Sequence, residues 1–237
     1  MSTKPIGLIS AIPEELAQFG THFAEREVTR VAGLAFRLGD LDGHPVVAVE
    51  AGIGKVNAAL VATLLLHEFG CRALVFSGVA GGLDPALGVG DVVVADRLVA
   101  HDYGALIDGD IKPYQPGVPP LPGCPEEHGY ALPVELAERL KQVLADVDLP
   151  TISAAAAGGE ARAPRLVFGT VLTGDTFLNC ADTRERLHQR FAGLAVEMEG
   201  AALAQVAERF GAPVVVVRAL SDLAGADSHI DFPAFLH

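Results

Sequence analysis

LAVEMEGAALAQVAERFGAPVVVVRALSD, residues 194–222, decides the fold. Residues 194–198 and 213–220 are short apolar runs, the second dominated by valine, and both read as buried strands. Between them, 199–210 carries a helical period. Strand, helix and strand at this spacing form the unit of a mostly parallel sheet covered by helices. The same stretch holds charges where an interior should be apolar. Glu197 and Glu199 sit at the end of the first strand, Arg218 lies inside the second, and Ser221 and Asp222 follow it.

The alternation continues outward. Further strands are predicted over 6–10, 44–51, 73–78, 91–100 and 165–174, and further helices over 14–25, 56–69, 133–146 and 182–192. The near-continuous apolarity of the strands fits a sheet covered on both faces. The predicted class is α/β: a single domain over 1–237 in three α/β/α layers, with a central mixed, twisted sheet flanked by helices. Gly70 is the expected C′ residue of the 56–69 helix and Asp182 the expected N-cap of the 182–192 helix. Residues 104–133 carry seven prolines and show no period, which predicts an irregular segment that is functional or mobile. Residues 153–164 read as a surface loop without an assigned function.

Composition narrows the partners. Half of the 237 residues are hydrophobic and 20% are charged, enough apolar material for one extensive interior. A formal net charge of −13, without Lys and Arg clusters, opposes binding to nucleic acid or an anionic membrane. A small, weakly charged partner is expected. The N-terminus lacks the basic and apolar pattern of a signal peptide, and no run of about 18 apolar residues occurs, so a cytoplasmic protein is expected. Cys71, Cys124 and Cys180 are widely spaced and odd in number, and read as free thiols. No HExxH motif or Cys and His cluster is present, so neither a metal nor a cofactor is expected.

Ligands of open α/β sheets bind beyond the carboxyl ends of the strands. Polar residues gather at three such ends: Glu14 and Glu15 after the first strand, Glu197 and Glu199 after 194–196, and Asp222 after the strand holding Arg218. Each has an ordinary explanation alone, as a first-turn helix charge or a turn cap. Together they read differently. An arginine in an apolar strand is costly without an acidic partner, and several acids around one arginine can divide labour. One donates a proton, another accepts one from water, and a third holds hydroxyls, a set suited to hydrolysing a sugar-like substrate. The Gly-rich stretches 50–59 and 76–91 follow strands and allow close backbone approach, but neither has the spacing of a P-loop or of GxGxxG. His101 and Asp102, adjacent and facing opposite ways on a strand, fit a structural or lip role. Phe177 either packs in the core or stacks on a planar base.

The motifs IGLISAIPEEL, EAGIGKVNAA, SGVAGGLDPALGVGDVVVAD, LTGDTFLN, VEMEGAALAQVAERFGAPVVVVRALSDLAG and SHIDFPAFL occur in this order. From about Ile6 to Leu236 the chain resembles the 5′-methylthioadenosine/S-adenosylhomocysteine nucleosidases of the purine nucleoside phosphorylase superfamily. The resemblance is specific at VEMEG and RALSD and loose over 103–165. It implies Glu15 as the base that activates water, Asp222 as the acid that protonates N7 of the purine with Ser221 beside it, and Glu199 as the carboxylate on the ribose hydroxyls. It further implies that Met198 packs on the sugar, that Arg218 helps hold the water and Glu199, that Phe177 stacks on adenine, and that the backbone of Leu178 reads its edge. Val79, Ala80 and Gly81 join the substrate-binding set, and Glu197 is a supporting residue. A homodimer is implied as well, and methionine salvage is among the uses of such a reaction.

Water rather than phosphate is the expected nucleophile, because Glu15 stands where the phosphorylases place a phosphate-binding arginine and would repel an anion. The chain departs from the family in three places. Residues 103–122 differ from the segment that closes over the 5′ substituent, Val79 stands where serine is frequent, and the sequence stops at DFPAFLH where relatives continue into a C-terminal helix. Rival readings are a futalosine or aminodeoxyfutalosine hydrolase, a purine nucleoside phosphorylase, and a nucleoside-binding or storage protein without turnover.

Overall fold

The computed structural model describes residues 4–17, 19–20, 22–118, 128–154 and 161–225. The expectations for Cys124 and for the chain end at 228–237 fall outside them. The elements run β1 (Ile6–Ser10), α1 (Pro13–Ala17), β2 (Phe23–Val31), β3 (Leu34–Leu41), β4 (His44–Glu50), α2 (Lys55–His67), β5 (Leu74–Gly82) and β6 (Val92–Ala100). There follow β7 (Gly104–Ile107), β8 (Asp110–Pro113), β9 (Tyr130–Ala131), α3 (Val134–Leu144), β10 (Leu166–Thr173), α4 (Ala181–Phe191), β11 (Gly193–Glu197), α5 (Gly200–Phe210) and β12 (Val214–Asp222).

Among the described residues, ten strands form one mixed sheet in the order β11-β10-β6-β12-β5-β1-β4-β3-β2, with β9 added beside β6. β12 runs parallel to β5 and antiparallel to β6, while β10 lies between β6 and β11 and runs parallel to both. β11 also pairs with β5 through Ala195 with Gly82 and Val196 with Gly81. Five strands thereby close on themselves. Strands of opposite direction deliver their ends to one place, which an open sheet would keep apart.

Alternation along the strands sorts the core into layers. Ile9, Val47 and Val49 face α2 and α5, where Ala58, Val61, Leu65, Ala201, Leu203 and Ala207 pack with them. Leu8, Val46 and Ala48 point the other way, beneath Leu16 and Phe19. Leu187 of α4 covers Leu172 and Val196. The small side chains of α5 let it lie close against α2 and the sheet.

Several expectations are corrected. The helix predicted over 14–25 ends at Ala17, because Phe19 packs under β1 and β4 and Phe23 already belongs to β2, paired with Leu41. β2 and β3 were not anticipated. Their turns at Ala32-Gly33 and Asp42-Gly43, like the Asp108-Gly109 turn joining β7 to β8, place two consecutive residues at positive φ, the pattern of a type I′ hairpin. The segment expected to be irregular over 104–133 therefore contains a two-stranded ribbon and β9. Asp182 lies inside α4, whose N-cap is Cys180. Gly70 has the left-handed conformation, but two residues beyond the C-cap Glu68 rather than one. The 153–164 stretch does more than cover surface: Arg162 reaches the fully buried Asp91 at 2.8 Å and the Val89 carbonyl at 2.8 Å.

Candidate active site

β12 buries the arginine expected to need partners. Arg218 is 1% exposed; its Nη2 donates to Glu197 Oε2 at 2.6 Å and lies 3.5 Å from Glu199 Oε2. Its guanidinium stacks 3.6 Å above the Phe76 ring, and its Nε has no protein partner. The closer acid is thus Glu197, whereas the resemblance linked Arg218 to Glu199. Glu197 is saturated. It accepts from the Thr173 hydroxyl, from Glu199 N at 3.1 Å and from Gly200 N at 2.8 Å as well as from Arg218. A carboxylate so fully bonded is suited to holding its neighbours in place.

Glu199 is held differently. Its Oε1 accepts from Gly54 N at 2.8 Å and its Oε2 from Met198 N at 3.2 Å. Burial and the Glu197 charge push its carboxyl up to about 7, against the opposing pull of Arg218 and the two N–H groups. Gly54, at φ +102°, precedes α2 and brings that N–H to the carboxylate from across the fold.

Glu15, from the helix after β1, is oriented by three backbone donors: Ala11 N at 2.7 Å, Ile12 N at 3.2 Å and Val79 N at 3.0 Å. Gly78 is required here, since a side chain at that position would collide with both the Glu15 carboxylate and the Arg218 guanidinium. Asp222, 2% exposed at the end of β12, accepts from Ala224 N at 2.7 Å and from the Ser221 hydroxyl at 2.9 Å.

These groups meet at one cavity of about 150 Å³. Every residue assigned to the site from sequence lines it except Arg218, which lies behind Glu197 and Glu199: Glu15, Asp222, Glu199, Met198, Phe177, Leu178, Ser221, Val79, Ala80 and Gly81. Phe177 is 49% exposed and so is not packed in the core. Ala11, Ile12, Ile53, Thr176 and Val196 also line the cavity and were not anticipated. Ile53 lies within the Gly-rich 50–59 stretch, so the glycines marked the loop without marking its apolar contact. Four of the described lining residues are acidic and none is basic. No group of three or more metal-ligating side chains occurs among the described residues.

The class follows from this geometry and from comparison. The model of the phosphorylase superfamily matches residues 5–236, so the chain belongs to that superfamily. It is 50% identical over 231 residues to the 5′-methylthioadenosine/S-adenosylhomocysteine nucleosidase of Mycobacterium bovis, covering 98% of this chain and 90% of the relative. It is 39% identical to the nucleosidase of the same name from Geobacillus thermodenitrificans, covering 97% and 88%. The nucleosidase of S. pneumoniae, solved with a transition-state inhibitor, superposes with a TM-score of 0.80 at 34% identity, covering 98% of this chain and 91% of that one. Within the superfamily, the chain belongs to the 5′-methylthioadenosine/S-adenosylhomocysteine nucleosidase family.

Proposed function

We propose that the chain hydrolyses the N-ribosidic bond of 5′-methylthioadenosine and S-adenosylhomocysteine, releasing adenine and the thio-ribose. One observation carries hydrolysis above phosphorolysis: the cavity presents four carboxylates and no described cation. Phosphate needs a cation and finds none described in the lining, while water needs none. Arg218, the nearby cation, is already committed to Glu197 and Glu199.

The reaction separates charge, and the carboxylates suit its two halves. As the bond from C1′ to N9 lengthens, electron density moves onto the purine and positive charge onto the ribose ring. Asp222 gives its proton to N7, and the Ser221 hydroxyl at 2.9 Å orients its carboxyl. Glu15 takes a proton from water as the oxygen attacks C1′ from the opposite face, its direction fixed by the N–H groups of Ala11, Ile12 and Val79. Glu199 grips the ribose hydroxyls, with Glu197 and Arg218 fixing its position and Met198 against the sugar. Adenine stacks on Phe177, with its edge on the Leu178 backbone. No step calls for a cofactor.

A homodimer belongs to the same reading. Ile53 just before α2, Val56 and Leu60 within it, and Leu106 and Ile107 of the hairpin are exposed apolar side chains that a second copy would cover. Cys71 and Cys180 are free, which suits a reducing cytoplasm.

Adenine release from 5′-methylthioadenosine, with and without phosphate, tests the reaction. Release should be independent of phosphate and fall by about a hundredfold or more in Asp222→Asn. Release that requires phosphate, or an Asp222→Asn variant as fast as the parent, would refute the mechanism. Cleavage of futalosine with 5′-methylthioadenosine left intact would reassign the 5′ group.

A further inference from the structure

Beside the cavity lies an ion cluster that the reaction does not use. Lys55, the first residue of α2, turns its Nζ onto Asp102 at 2.7 and 2.9 Å and lies 3.5 Å from Asp175. The cluster is closed by backbone bonds. Lys55 N donates to Asp175 Oδ1 at 2.9 Å, and Asp175 N donates to Asp102 Oδ2 at 2.8 Å. Burial pushes the Asp102 carboxyl up, but the Lys55 and Asp175 donors and the Lys55 and His101 charges outweigh it and hold the group below its ordinary value.

Three separate segments meet in this cluster: the end of β6, the loop after β10 and the start of α2. Two of them carry parts of the cavity. Gly54, one residue before Lys55, supplies the N–H bonded to Glu199, and Ile53 lines the wall. Thr176, Phe177 and Leu178 directly follow Asp175. α2 has no side-chain cap of its own at Gly54, so Asp175 serves from another element. Lys55 is engaged by two carboxylates and is not free to receive an anionic ligand.

We infer that Lys55, Asp102 and Asp175 form a positioning clamp that sets the Gly54 N–H against Glu199 and Phe177 over the cavity before substrate arrives. The inference rests on the hydrolase reading above for the meaning of those two positions. Lys55 is a positioning residue, acting through Gly54 and Phe177. The part-buried Lys55 and Asp102 pair ties the start of α2 to the end of β6, and Asp175 joins the loop after β10 to both. The effect of the cluster therefore falls on the local placement of the segments it joins.

Lys55→Met and Lys55→Arg test the clamp in the full chain, with steady-state adenine release and backbone hydrogen exchange as independent readouts. For Lys55→Met, KM should rise about tenfold with kcat within about threefold, because binding geometry is lost and the reacting groups remain. Exchange at 53–55 and 174–178 should quicken about tenfold while β12 is unchanged. Lys55→Arg, which keeps the charge, should recover most of both effects. Unchanged KM, unchanged exchange in these segments, or exchange that quickens equally in β12 would each overturn the clamp. A parent protein that releases no adenine would fail the hydrolase reading, and the exchange comparison would still decide whether Lys55 joins the segments.

Discussion

Replacing Glu199 with Gln removes a charge while nearly keeping a shape. The carboxyl stands at about 7 instead of 4.5 because burial and the Glu197 charge disfavour its ionised form. At about 1.36 kcal/mol per pH unit, that difference amounts to about 3 kcal/mol against the folded state once the group is ionised. The sign follows from where the proton goes. Below 4.5 both folded and unfolded chains hold it and Glu199 contributes nothing. Between 4.5 and about 7 the unfolded chain has released it while the folded chain keeps it, so stability falls as pH rises. Above 7 both are ionised and the penalty is constant. Gln never ionises and escapes the penalty. It pays elsewhere: with its oxygen on Gly54 N–H, its amide group faces Met198 N–H and Arg218, a donor against donors that costs about 1 kcal/mol. Relative to the parent, Glu199→Gln should be about 1 kcal/mol less stable near pH 4.5 and about 2 kcal/mol more stable at pH 8. Urea unfolding of both proteins at the two pH values measures this, and titrating groups distant from Glu199 cancel in the difference. Adenine release should meanwhile fall about a hundredfold, the trade between stability and activity expected of a strained functional group. A stability difference that does not change with pH, or that moves against the variant as pH rises, would refute the account of Glu199.

Three further substitutions probe other parts of the structure. Gly78→Ala forces a methyl group between Glu15 and Arg218 and should cost about 1–3 kcal/mol by overpacking, with kcat falling more than KM rises in steady-state assays. Phe177→Ala removes a half-exposed ring, so melting should barely change while KM for the nucleoside rises about three- to tenfold through lost stacking. Asp91 is fully buried. Burial raises its carboxyl, but the N–H groups of Arg165 and Gly88 and the guanidiniums of Arg162 and Arg165 prevail and hold it below 3.8. Its contribution is present above 3.8 and is lost as pH falls through the lower folded value. Asp91→Asn should therefore cost about 2 kcal/mol in urea unfolding at pH 7, with the gap to the parent closing toward pH 3.

The strands that carry the site were legible because burial on both faces leaves an unmistakable mark. VVVV before Arg218 admits little else, and a charge in such a run demands partners, which Glu197 and Glu199 supply. The carboxylates at strand ends were legible for the same reason. The 14–25 helix misled because its apolar spacing suits a helix equally well as it suits Leu16, Phe19 and Phe23 covering one face of β1 and β4. β2 is largely exposed and shows little hydrophobic pattern, although the Gly dipeptides at both ends of β3 were local signals of its hairpins. The Lys55 cluster was out of reach. Its partners lie 47 and 120 residues away, and nothing local to any one of them announces the others.

β12 is the last of the described strands to be made and lies between β5 and β6, in the middle of the sheet. During synthesis, β5 and β6 must wait with facing edges unpaired until residues 214–222 arrive to join them. Arg218 and Asp222 arrive with that strand, so no earlier portion of the chain contains the site. The order of manufacture thus leaves open edges, prone to pairing with other chains, late into folding. A chain interrupted before β12 would lack its central seam rather than a peripheral ornament. Its fate should be aggregation or proteolysis, with no reduced but working version of the protein.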